Sequence, residues 1–138
     1  MRSALAVLLL TFAGIVHAET WISTSILSYH FDRTDKQNEN NYGIGVKHFV
    51  GEWTLIAAGI YRNSNEIDSG YLVAGHCFYR STYVCAGGIA GLVTGYERYA
   101  IPMGGLAVTI HGKTWGTSIL VFPKDGGVAG LTIERRFW

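Results

Sequence analysis

Beyond residue 18 no stretch of this chain suits a membrane-spanning helix, although the chain is rich in residues that avoid water. The longest charge-free run, Ser81 to Tyr96, carries Gly87, Gly88, Gly91 and Gly95 and has apolar residues on every face, which makes it a poor helix former. Apolar residues make up 49% of the sequence and cysteines number two, so a small soluble module stapled by disulfides does not fit. The first eighteen residues, MRSALAVLLLTFAGIVHA, read as a secretory signal. Arg2 supplies the charged start, Leu5 to Phe12 the apolar centre, and Val16 and Ala18 the small residues of a cleavage site. The segment is too short, and followed too soon by Glu19, for a membrane anchor. An exported apolar chain without spanning helices has one way into a bilayer: a closed β-barrel, in which strand pairing satisfies every backbone group. The expected organisation is a signal peptide over 1–18 and an all-β domain over 19–138, an eight-stranded antiparallel transmembrane barrel of the bacterial outer membrane.

Turn signals support that count. They divide the chain into extended segments at about 20–31, 42–50, 53–62, 69–79, 83–95, 100–110, 115–122 and 127–137, long enough to cross the hydrocarbon when tilted. The breaks VGE (50–52), YRS (79–81) and HGK (111–113) are short, whereas those at 32–41, 63–68, 96–99 and 123–126 are mostly longer and more polar. Short turns alternating with longer loops is the outer-membrane pattern, the loops being extracellular. Trp21, Trp53, Trp115, Tyr42, Tyr61, Tyr71, Tyr79, Tyr83, Tyr96 and Tyr99 fall at or near segment ends, where interfacial girdles belong. Phe137 shares parity with Leu131 and Ile133 and is expected to face outward, with Trp138 as an end anchor. A secreted soluble barrel or sandwich would show the same alternation. A net charge of +1 offers nothing to nucleic acid.

The segments WTLIAAGI (53–60), VCAGGIAGLV (84–93) and MGGLAVTI (103–110) are apolar or tiny on both parities. Much of the interior should therefore be greasy, either as a cavity fit for an acyl chain or because glycine relieves crowding in a narrow barrel. Cys77 and Cys85 lie symmetrically about Ser81 on neighbouring segments, a candidate disulfide if the hairpin turns there. Asp32, Asp35 and Glu39 lack the spacing and glycine of a calcium loop, so no metal is expected, and nothing asks for a cofactor. Of the histidines beyond residue 18, His30 alone falls at a loop-side rim, with Arg62-Asn63-Ser64 at the same rim two strands on. A serine within reach of an imidazole is an acyl-transfer arrangement; a solvated histidine and an ordinary Asn-Ser turn are the plainer readings.

These features occur in a suggestive order: a histidine ending strand one, the loop FDRTDKQNEN, the strand NYGIGV, then AAGIYRNS, AGGIAGLVTGY, AIPMGGLAV and LVFPKDGGVAGLTIERRF. In this the chain resembles the outer-membrane lipid A palmitoyltransferases, the PagP family, along the whole length beyond residue 18. The resemblance implies a monomeric enzyme moving an acyl chain from a phospholipid donor to lipid A among membrane lipids. It implies His30 and Ser64 as catalytic residues, with Asn63 where the family has an aspartate. Pro102 and Pro123 match prolines that in the family interrupt strand pairing and let lipid enter laterally. The family's proline before strand two is replaced by Asn41, and its N-terminal helix has no counterpart ahead of strand one. An amide at 63 can orient an imidazole but cannot stabilise an imidazolium as a carboxylate does, which keeps a non-enzymatic barrel on the same scaffold open as the alternative.

Overall fold

The structure, a computed structural model, describes residues 19–33, 36–96 and 99–137, apart from the side chains of Ile26 and Asp125. The expected signal peptide, Asp35 and the anchoring Trp138 lie outside them. Eight strands follow in order: β1 (Thr20–His30), β2 (Gly43–Val50), β3 (Thr54–Arg62), β4 (Asp68–Arg80), β5 (Val84–Val93), β6 (Ile101–His111), β7 (Trp115–Phe122) and β8 (Val128–Arg136). Each pairs antiparallel with the next, and β8 returns to β1, closing the barrel. One end carries three tight turns; the other carries the longer connections, including a short 3-10 turn at Lys124–Gly126 before β8.

The outer surface is apolar. Ile44, Ile60, Leu72, Leu92, Leu106, Ile110 and Ile119 all point away from the barrel and are exposed, a continuous band that hydrocarbon covers at no cost and water does not. Trp53, Phe78, Tyr79, Tyr83, Trp115 and Phe137 ring the turn end, and Tyr29, Phe31, Tyr42 and Tyr99 the loop end, as interfacial girdles do.

The interior is less uniformly apolar than the segments alone imply. On β3 to β6 the inward residues include Leu55, Ala57, Val73, Ile89, Val93 and Ala107, as expected; on β1, β7 and β8, Ser23, Ser25, Ser118, Thr132 and Glu134 face inward toward the turn end and Leu120, Phe122 and Val128 nearer the loops. Glu134 forms a buried ion pair with Lys47 of β2, with Ser118 bonded to both and Thr109 to Ser118 at 2.7 Å. Below this network Trp21, Phe49, Leu55 and the Cys77–Cys85 disulfide close the turn end, and Trp21 stacks on His111 with ring centroids 4.7 Å apart. The cysteine Cα atoms are 5.5 Å apart, but the pairing is not symmetric about Ser81. A bulge between Cys77 and Tyr79 sets Cys77 opposite Gly87 and Cys85 opposite Arg80, so the bridge runs diagonally.

A second bulge matters more. The β1–β8 register passes from Ser25↔Thr132 to Leu27↔Leu131, leaving residue 26 without an opposite number. Inward positions on β1 therefore shift from Trp21, Ser23 and Ser25 to Ser28 and His30. In an unbulged strand, strict alternation would turn His30 toward lipid.

Candidate active site at the loop end of the barrel

His30 closes β1, buried to 7% exposure, and its imidazole meets a side chain from the β3–β4 loop: His30 Nε2 and Ser64 Oγ are 2.8 Å apart. With a neutral ring unprotonated at Nε2, the hydroxyl donates to it. Both residues line a cavity of about 600 Å³ inside the barrel, within the size range of small-ligand sites. Tyr61 and Tyr96, whose hydroxyls are 3.1 Å apart, stand at the same mouth. Leu55, Ala57, Val73 and Ile89 form one wall, Ser23, Ser25 and Ser28 with Leu120 and Val128 the facing one, and Lys47 and Glu134 contribute to the lining deeper in the barrel. Space in the middle depends on glycine. A Cβ on Gly45 would fall 2.1 Å from the Tyr71 hydroxyl, which lies across Gly45 and its cross-strand partner Gly59.

Asn63 is not where an orienting residue would be. It is fully buried, and its amide is spent on its own loop, on β4 and on the β5–β6 connection. Oδ1 accepts from the backbone N–H groups of Asn65 (2.8 Å) and Ile67 (3.0 Å); Nδ2 donates to Ser69 Oγ and to the Gly95 carbonyl, both at 2.9 Å. Two acceptor and two donor positions exhaust a carboxamide, so the amide makes no hydrogen bond to the His30 ring, and its bonds brace the loop that carries Ser64.

The β1–β2 connection lies against that same loop through Asn41, noted above only as the residue in place of a proline, and through Asn38. Asn41 Nδ2 donates to the Arg62 carbonyl (2.9 Å), and the Asn38 backbone N–H to the Ser64 carbonyl (2.9 Å), with Asn38 Nδ2 at 3.4 Å from the Asn63 carbonyl. The cluster QNENN was a readable signal, since asparagine donates to carbonyls in irregular backbone; which carbonyls it would reach was not readable. Glu39 of that loop pairs with Arg33 at the surface, at 3.4 Å, and no group of three or more His, Cys, Asp or Glu side chains among the described residues could hold a metal.

Pro102 and Pro123 flank a break in the wall. The β6–β7 ladder runs from His111↔Gly116 only as far as Leu106↔Val121, so Ile101–Gly105 lie beyond it. Pro102 sits in that stretch, facing outward, and Pro123 just after β7. Neither can donate to a ladder. The β1–β2 ladder is short too, from Thr20↔His48 to Ser23↔Gly45, with one isolated bridge at Leu27↔Asn40.

No family model and no curated protein matches the chain. Among solved structures it is similar to a de novo designed transmembrane β-barrel, with a TM-score of 0.68 and 12% identity over 86% of this chain and 94% of that one. It is similar also to the N-terminal β-barrel domain of OprF from Pseudomonas aeruginosa, with a TM-score of 0.56 and 13% identity over 86% of this chain and 97% of that one. The fold is a transmembrane barrel of the outer-membrane type. Identities this low carry architecture and not chemistry.

Proposed function

We propose that this barrel is an outer-membrane acyltransferase that moves a fatty acyl chain from a phospholipid to lipid A, acting as a monomer in the outer membrane after export and removal of residues 1–18. One observation carries the reading: a hydroxyl and an imidazole at hydrogen-bond distance, at the mouth of a cavity with one apolar wall. The acyl tail lies along Leu55, Ala57, Val73 and Ile89, and the ester reaches the rim. There His30 takes the Ser64 proton as Ser64 Oγ replaces the donor's oxygen on the acyl carbon and passes that proton to the departing lysophospholipid; the same imidazole then deprotonates the lipid A hydroxyl that takes the acyl group and returns the proton to Ser64. Lipid enters through the break beside Pro102 and Pro123. Burial of His30, with Ser64 half-buried beside it, strengthens the hydrogen bond by limiting water.

The second reading, a non-enzymatic barrel, is favoured by the buried Lys47–Glu134 network, which ties inward charges together as a purely structural barrel requires. Mass spectrometry of lipid A from cells expressing the protein separates them. An added acyl mass with the wild-type chain and none with Ser64→Ala supports the enzyme; unchanged lipid A from a well-inserted wild-type barrel supports the scaffold.

A further inference from the structure

We infer that Asn63, together with Asn38 and Asn41, is a positioning device holding Ser64 against His30, and that it works because residue 63 is an amide and not a carboxylate. The inference rests on His30 and Ser64 being the acyl-transfer pair. A serine on a loop and a histidine on a strand stay in hydrogen-bond reach only if both backbones are fixed. The backbone at 62–64 is held from two sides. From the β1–β2 connection, three consecutive carbonyls, Arg62, Asn63 and Ser64, receive donors of Asn41 and Asn38. From within the loop, Asn63 Oδ1 gathers the N–H groups of 65 and 67, while Nδ2 ties the loop to Ser69 and to Gly95 beyond β5. The Gly95 contact is intolerant. Gly95 has φ +86°, and a Cβ there would lie 2.1 Å from Ser69 Oγ. Its carbonyl only accepts, so aspartate at 63 would set oxygen against oxygen in a buried place. The Ser69 hydroxyl can rotate to donate instead; the carbonyl cannot. Aspartate, the residue of the resembling family, would displace Ser64 here and not complete a triad.

Nitrogen NMR of the chain labelled with 15N-histidine, in detergent micelles, reads the pair directly through the imidazole shifts. Ser64→Ala is expected to move the His30 ring signals alone. Asn63→Asp, which keeps volume and loses the donors, is expected to reproduce that displacement while His48, His76 and His111, toward the turn end, stay in place; general loosening would move all four. Asn41→Ala is expected to give a smaller displacement in the same direction, and it carries the test alone if Asn63→Asp fails to fold. Acyl transfer by Asn63→Asp should fall at least about tenfold, the worth of a lost buried hydrogen bond. His30 signals unchanged in Asn63→Asp, or in Ser64→Ala, overturn the inference, as does faster transfer with aspartate. Absence of transfer by the wild-type chain, with ring signals behaving as expected, sinks the acyltransferase reading and leaves the positioning device standing.

Discussion

Thirty-four residues separate His30 from Ser64, yet their side chains share a hydrogen bond inside the barrel mouth. Neither residue is needed for strand pairing, since Ser64 lies in a loop and His30 pairs through its backbone with Val128. His30→Ala and Ser64→Ala should therefore each lower acyl transfer by about 10²- to 10⁴-fold, the range for a lost general base or its partner. Both variants should keep the heat-modifiable gel mobility of a folded barrel. Full activity in either variant would remove the pair from the mechanism. Deeper in the barrel, Lys47 and Glu134 are a different case, because both are almost fully buried. Glu134→Ala alone should cost about 3–5 kcal/mol by stranding a buried ammonium, whereas Lys47→Met with Glu134→Leu should be close to neutral. Urea unfolding in lipid vesicles measures both, and equal losses in single and double variants would contradict the argument.

At the level of a strand, the bulge in β1 decides which way the histidine points. Antiparallel partners share a face, and His30 stands opposite inward-facing Val128 with residue 26 skipped. Deleting Ile26 should therefore restore an unbroken ladder and leave His30 inward, with transfer retained. Inserting one residue between Leu27 and Ser28 should instead turn His30 outward, or force a new bulge, and abolish transfer. Loss of activity in the deletion with a folded barrel would mean that the bulge does more than correct parity. The diagonal Cys77–Cys85 bridge has a related origin, since the β4 bulge displaces Cys77 from the partner that symmetry about Ser81 assigned it.

Across the whole molecule, the apolar band requires hydrocarbon. Leu106 lies midway along β6, faces outward at 62% exposure, and pairs with Gly88 and Val121. Leu106→Arg should cost about 2–4 kcal/mol in vesicles, the depth-dependent penalty for a cation at the bilayer midplane. A soluble barrel would tolerate or gain from the same change, so a neutral result in vesicles would count against insertion. The inner surface is polar toward the turn end, where Ser23, Lys47, Thr109, Ser118, Thr132 and Glu134 gather, and largely apolar above it, on β3 to β5 and at the loop end of β7 and β8 with Leu120, Phe122 and Val128, so a tail entering from the rim meets apolar lining before it reaches the charges.

What the amino-acid order settles unaided is local. Period-two alternation, glycine-broken apolar runs and aromatic strand ends define eight membrane-length strands, and strand direction sends His30 and Ser64 to one rim. Even the nearness of Cys77 and Cys85 follows from a short hairpin. Facing and partnership are non-local, and the tertiary structure alone decided them. The parity of His30 depends on how β1 meets β8 more than a hundred residues later, as in the Ser25↔Thr132 pair, because a bulge is a property of two strands and not of one. Lys47 finds Glu134 only once the barrel closes. Asn63 could be read as a weakened aspartate until the Gly95 carbonyl stood 2.9 Å from its amide nitrogen: a side chain's chemistry is its own, but its role is set by the groups that folding brings to it.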